Sequence, residues 1–251
     1  METKILPKHT WQRTVLSMAL GIGILGSISA CSQPVSPSPE NSVSASNSAA
    51  SGLPYANDGK AVNNGNGSYL QTSIDDKDPA MQYNESIVSA DLKAKYSEDE
   101  IAEAQKTVVR FIAEQTIDST VQGGGSSSEW FEKHQDAIAP DFREEAKRLV
   151  ADPKSGFLID NPNRKSAGYE LAYDEKSARV DSRSIDVTKI ILASKDRPLV
   201  SANIEYSLKT KEGKLEKASG TISYAVTEIE GRWLISGYES KVAITPFATD
   251  K

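Results

Sequence analysis
Leu199-Val-Ser-Ala-Asn-Ile-Glu-Tyr-Ser-Leu-Lys209 alternates without a break. Val200, Ala202, Ile204, Tyr206 and Leu208 fall on one side of an extended chain. Ser201, Asn203, Glu205, Ser207 and Lys209 fall on the other. Successive strand side chains point to opposite faces, so this period of two predicts a strand with one buried and one wet face. The same period appears on both sides of it. Ser184 to Ala193 reads as the preceding strand, with a turn at Ser194 to Pro198. Lys211-Glu-Gly-Lys214 reads as a hairpin turn into a strand from Ala218 to Thr227, with Ile222, Tyr224 and Val226 inward. Glu230-Gly-Arg232 turns the chain into a last strand, Trp233 to Ile244. Short links between strands of similar length predict an antiparallel meander. Its apolar face needs a lid.

The lid lies upstream. Ser97-Glu-Asp-Glu100 is a capping box, with Tyr96 and Ile101 at staple positions. Ile101, Ala104, Val108, Phe111 and Ile112 then keep helical spacing, which predicts a helix over 98–117. Gln122-Gly-Gly-Gly-Ser-Ser-Ser128 reads as a flexible link. Ser126 and Glu129 cap a short helix reaching about Ile138, which Ala139-Pro140 breaks. Asp141 to Glu144 repeats the cap pattern and opens a third helix over 142–151, stopped by Pro153. Between helices and meander, Phe157-Leu-Ile159 and Tyr169 to Tyr173 read as short strands around a polar loop, Asp160 to Ser166. The expected fold class is α+β, with N-terminal helices packed on a curved, cone-like antiparallel sheet. One globular domain is expected over 96–247.

The N-terminal part is different in kind. Lys4, Lys8 and Arg13 precede an apolar run from Val15 to Ile28, then the small residues Ser29 and Ala30. That is the layout of a secretory signal peptide, and the run is too short for the ~20 residues of a permanent span. Ile28-Ser29-Ala30-Cys31 resembles the bacterial lipobox. The resemblance implies that residues 1–30 are a lipoprotein signal, that the Cys31 thiol takes a diacylglyceryl group, and that the chain is cut before it. More than one acyl chain makes attachment stable, at about 0.8 kcal/mol per buried methylene. Ser32 stands where that family's inner-membrane retention signal has aspartate, so in a two-membrane envelope the outer membrane is open as an address. Residues 31–95 read as the lipidated cysteine and a flexible, low-complexity tether. They are rich in Ser, Asn, Ala, Pro and Gly, as in Asn63-Asn-Gly-Asn-Gly-Ser68. Tyr69, Leu70, Met81, Ile87 and Leu92 show no clear period but have the bulk to pack as an arm.

Charge and cysteine usage exclude several functions. Residues 1–30 carry Lys4, Lys8, Arg13 and Glu2, so without them 29 basic and 35 acidic residues become 26 and 34, a net −8. An acidic chain argues against nucleic acid, which rewards clustered Lys and Arg. Cys31 is the only cysteine, so no disulfide can form within the chain. His134 is the only histidine after residue 30, and one histidine does not make a metal site. No phosphate-binding glycine loop, nucleophile elbow or Cys/His pair occurs, and no cofactor is expected.

Helices followed by a long meander ending in Glu230-Gly-Arg-Trp-Leu-Ile-Ser-Gly-Tyr238 are similar to the nuclear-transport-factor-two-like, or ketosteroid-isomerase-like, cone. The similarity covers about 95–245. It implies a cone with an open end, where an inward face forms a pocket. By period, Trp130, His134, Tyr206, Tyr224 and Trp233 are the candidate lining, against the alternative that they fill the core. The catalytic Tyr and paired Asp of that superfamily's enzymes have no matching positions here. Asp186 and Glu205 alternate toward solvent, so no catalytic residue is assigned. The expectation is a non-catalytic, membrane-anchored interaction or accessory module outside the cytoplasm, with an envelope protein as partner. The alternative is a carrier or sensor of a small apolar ligand in the cone pocket. Cys31→Ser should move the protein from the membrane to the soluble fraction on cell fractionation; continued membrane retention would refute the lipid anchor.

Overall fold
The computed structural model describes residues 61–245. The signal, Cys31 and the rest of the expected tether to residue 60 lie outside the described residues, as do 246 and 247 at the expected domain end. The chain enters with a hairpin of β1 (Ala61–Asn63) and β2 (Ser68–Leu70). Helices α1 (Ala90–Lys93), α2 (Glu98–Phe111), α3 (Ser127–His134) and α4 (Arg143–Ala151) follow. Strands β3 (Val180–Ala193), β4 (Arg197–Lys209), β5 (Leu215–Ile229) and β6 (Arg232–Thr245) then form one antiparallel sheet in the order β3-β4-β5-β6. The fold is α+β. No helix among the described residues is long and apolar enough to cross a membrane.

The alternation of β4 holds on its apolar face and is broken on the other, where Ser201 and Ser207, expected in solvent, are buried against Ser223 and Ser182. Val200, Ala202, Ile204, Tyr206 and Leu208 are buried, while Asn203, Glu205 and Lys209 are exposed. Register carries the inner face across the sheet: Val200 lies opposite Ile190 on one side and Tyr224 on the other. Asp186 and Glu205 face solvent as expected. β3 starts at Val180, ahead of the expected Ser184, because a register shift between Val180 and Ser182 breaks the period there. Both sheet edges are partly covered. Ser89 N donates to Ile190 O at 2.9 Å on the β3 edge, and Ala139 N donates to Ile235 O at 2.8 Å on the β6 edge.

The lid is α2. Its capping box is complete: Ser97 N donates to Glu100 Oε2 at 2.7 Å, and Glu100 N donates to Ser97 Oγ at 3.3 Å. Ile101, Ala104, Val108 and Phe111 are buried toward the sheet, with the Phe111 ring 5.1 Å from that of Tyr224. The α form ends at Phe111, short of the expected 117, and a π turn over Ile112–Thr116 completes the run. The Ser126 cap of α3 forms. The expected Asp141 cap of α4 does not. Pro140–Phe142 is a 3₁₀ turn, and Asp141 instead accepts from Arg197 Nη2 at 2.6 Å. Of the short strands expected around residues 157–173, the structure has only a single bridge, Leu171 to Thr210. Phe157, Leu158 and Ile159 are buried as irregular chain.

The expectation of a flexible tether reaching residue 95 fails over 61–95. Tyr69, Ile74, Met81 and Leu92 are fully buried, and Met81 packs in a cluster with Ile74, Ala80, Val109 and Ala113 on the back of α2. These apolar residues are spaced for an irregular chain wrapped on an existing body, so no period marks them. A buried charge ties the first part of the arm down. Arg179, immediately before β3, places Nε 2.6 Å from Asp118 Oδ1, and its Nη2 donates to Tyr69 OH at 2.8 Å and to Ser119 O at 2.7 Å. Asp118 Oδ2 accepts from Thr72 N at 2.7 Å. Arg179 and Asp118 are 1% and 0% exposed, so each depends on the other for its charge. Burial pushes the Asp118 carboxyl up, and Arg179 and the Thr72 amide pull it back. Limited proteolysis should therefore leave a resistant fragment beginning near Ala61, well before Tyr96. Arg179→Met strands Asp118 without its partner, at a cost of about 3–5 kcal/mol, and should move the first protected residue toward Tyr96 by N-terminal sequencing of the fragments.

Candidate functional site
The five residues expected to line a cone pocket are all buried. Four of them sit in or beside the aromatic core. Trp130 packs 6.3 Å from Phe111 and 6.5 Å from Phe157, and its Nε1 donates to Gln115 Oε1 at 3.0 Å. Tyr224 shares a hydrogen bond of 2.8 Å with Thr116 Oγ1 and donates to Phe157 O at 2.5 Å. His134 lies 4.8 Å from the Trp130 ring, and Tyr206 faces inward from β4. Trp233 stands apart, 5.8 Å from Tyr96. None of the five lines any of the three described clefts. Phe157, an irregular residue that sequence periodicity could not place, fills the space between α2 and the sheet from 5.6 Å off Tyr224 and 5.2 Å off Tyr238.

The polar cleft is elsewhere. It has a volume of about 280 Å³ and lies between the glycine turn at 123–124, the tip of the β1–β2 hairpin and the loop 160–173. The two low-complexity stretches build it against each other. Asn64 Nδ2 donates to Gln122 O at 2.8 Å, and Asn66 Nδ2 donates to Gly123 O at 3.0 Å. Gly123 has φ +79°, and a Cβ there would stand 2.6 Å from the Tyr173 hydroxyl; one on Gly67 would stand 2.6 Å from the Tyr173 ring. The expected flexible link at 122–128 is thus a docked turn, because its glycines permit the close approach.

A buried ion network forms the back wall. Arg164 Nη1 lies 2.5 Å from Asp160 Oδ1, and its Nε and Nη2 hold both oxygens of Glu216 at 2.7–3.2 Å. Asn161 Nδ2 and Tyr169 OH also donate to Glu216 Oε2, at 2.8 and 3.0 Å. Burial, and then the Glu216 charge, push the Tyr169 hydroxyl up to about 12, so it stays a donor. Gly123 N donates to Asp160 Oδ1 at 3.2 Å, which joins the network to the glycine turn. A second cleft of about 390 Å³ lies behind the same loop, lined on its apolar side by Ile159, Val242 and Ile244. Asp160, Asn161, Pro162 and Tyr169 are common to both.

Chemically, this arrangement holds polar groups in place and leaves little free to react. Glu216 accepts four donors' worth of hydrogen bonds and is 1% exposed, so it has no position from which to move a proton. Asp118, the carboxyl that burial raises, lines none of the described clefts. No three His, Cys, Asp or Glu side chains gather as metal ligands among the described residues. Comparison of the chain with protein-family models, with curated proteins and with solved structures finds no match.

The site residues were missed because Asp160 to Ser166 carries no period and Glu216 lies ahead of the strand expected from Ala218, in a β5 that starts at Leu215. One local signal was present: Asp160 and Arg164 are four apart, the spacing of a paired turn. His134 answers its own question. Its Nδ1 has no hydrogen-bond partner among the described residues, and burial, with Lys133 adding, lowers its pKa to about 4. The folded state thus prefers neutral His134, so its contribution is complete above the unfolded value of 6.5 and is lost as pH falls from there to about 4. The loss is about 3 kcal/mol. In urea melts between pH 7 and 4, His134→Leu should remove that part of the decline; an unchanged slope would show His134 accessible to protons in the fold.

Proposed function
We propose that the protein is a lipid-anchored module of the cell envelope, held outside the cytoplasm through Cys31, which recognises a partner non-catalytically. In a two-membrane envelope the outer membrane is its address. The lipobox and its apolar run support the location. The observation that carries recognition without catalysis is the cleft beside Tyr173. It is pre-formed and solvent-accessible, and the two carboxylates that line it, Asp160 and Glu170, are ion-paired with Arg164 and Lys211. The nuclear-transport-factor-two-like cone belongs to this reading as well, supported by helices first and a long meander after. In that cone the recognition site sits on the outer loops, since aromatic rings occupy the space between α2 and the sheet.

The partner is reached through polar contacts. Leu215 is the only exposed large hydrophobic residue among the described ones, so an apolar docking patch has little support. The apolar-ligand alternative keeps one supporting feature, the cleft lined by Ile159, Val242 and Ile244. Recovery of the lipidated full chain from its own envelope separates the two. Material that co-purifies with the wild type should be lost with Tyr173→Ala and kept with Val242→Ser. The opposite pattern would move recognition to the apolar cleft.

A further inference from the structure
We infer that the cleft beside Tyr173 takes a single uncharged sugar ring. This deepens the reading above and rests on it for the cleft as the recognition site. Charge decides the class of ligand first. Asp160 and Glu216 are paired with Arg164, and Glu170 is paired with Lys211 and held below its usual range by that lysine and, more weakly, by Lys165. Each of these acids has a basic partner, and the one remaining lining cation, Lys165, is exposed to water, so neither a cation nor an anion finds a buried, free counter-charge. Yet polar capacity remains. Asp160 Oδ2 and Asn66 Oδ1 accept no hydrogen bond among the described residues, while Asp160 Oδ1 and the Asn66 amide nitrogen are fixed by Arg164, Gly123 N and Gly123 O. These are acceptors pre-aimed by their own partners, the arrangement that favours hydroxyl donors at low ordering cost.

Shape decides the rest. Tyr169, Leu171 and Tyr173 supply apolar wall beside those acceptors, so the ligand must present a polar edge and a non-polar face on one small body. A pyranose does this, with hydroxyls around its rim and C–H groups on its face. At about 280 Å³ the cleft falls just under the range of ~300–1,000 Å³ for drug-sized ligands, so one ring fills it and a chain must leave through the mouth. The sources of such a ring outside the cytoplasm are an envelope glycan or a free sugar, and the chemistry is the same for both.

The test is ligand-observed NMR on the purified full chain in detergent. The probes are N-acetylglucosamine and methyl glucoside, with inorganic phosphate and choline as charged probes. Saturable binding of at least one sugar is expected, with neither charged probe competing. Tyr173→Ala should weaken it about tenfold or more by removing the aromatic wall, and Tyr173→Phe should keep it. Because Tyr173 also packs on Gly67, the exposed hairpin residue Asn66→Ala serves as a second variant, and it should weaken binding without moving the melting temperature. No sugar binding, displacement of sugar by phosphate or choline, or wild-type affinity in both Asn66→Ala and Tyr173→Ala would each overturn the inference. If sugars fail while Tyr173→Ala still abolishes recovery of envelope material, the sugar is wrong and the cleft stands; if both fail, both readings go.

Discussion

Arg179 carries a full charge to a place that water does not reach, and the structure around it follows from that. A lone guanidinium so placed would be prohibitive. Asp118 supplies the countercharge from the end of the α2 run, Tyr69 supplies a hydroxyl and a ring 3.6 Å from the guanidinium carbon, and Ser119 supplies a carbonyl. These groups come from three stretches far apart in sequence: the incoming arm, the helix terminus and the chain just before β3. The π turn over Ile112–Thr116 belongs to the same constraint, since it sets the direction in which Ile117 and Asp118 leave the helix. Hydrophobic burial would let these segments pack in several ways. A buried pair with directional hydrogen bonds permits far fewer.

Fixing the arm also builds the cleft. Residues 64–67 leave β1 directly above the turn at 122–125, and Asn64 and Asn66 bond to its carbonyls. Tyr173 then lies between the two glycine stretches, with Gly67 under its ring and Gly123 against its hydroxyl. The arm pinned by Arg179 and the loop pinned by Arg164 face each other across the opening. Two buried ion networks that share no residue thus hold opposite walls of the polar cleft. The loop wall has no strand or helix of its own to stiffen it, and the arm wall has only the three-residue strands β1 and β2. Charge pairing takes over the role that strand or helix would play elsewhere.

The meander was legible because its residues obey a period with one cause: β4 buries every residue of its apolar face and exposes Asn203, Glu205 and Lys209 on the other. The α2 start was legible because a capping box is chemistry between four adjacent residues. The arm and the cleft were not, for an equally physical reason. Asn63-Asn-Gly-Asn-Gly-Ser68 and Gln122-Gly-Gly-Gly125 have the composition of disordered chain, and tight turns draw on the same residues for positive φ and side-chain-to-backbone hydrogen bonds. Composition cannot tell a free segment from a docked one when the docking partner lies about 58 residues away, as Gln122 does from Asn64. Trp130, His134, Tyr206, Tyr224 and Trp233 are buried, but period says nothing about whether an interior is hollow. Phe157, with no periodic neighbours, takes the space they were expected to line.

That filled interior bears on where recognition can occur in this kind of fold. A sheet covered by one main helix must fill the gap between them with side chains or leave it for a ligand, and five rings here meet at 5.1–6.5 Å across that gap. Opening it would expose Tyr224, whose hydroxyl is already committed to Thr116 and Phe157, and would lose close-packed contacts that no small ligand restores in full. The loops past the end of the sheet carry no such obligation. Their polar groups need only satisfy one another, and where the Arg164 network does so with oxygen lone pairs to spare, the surplus faces outward. A closed core and surplus acceptors at the rim are what the recognition proposed above would draw on, with the interior left undisturbed.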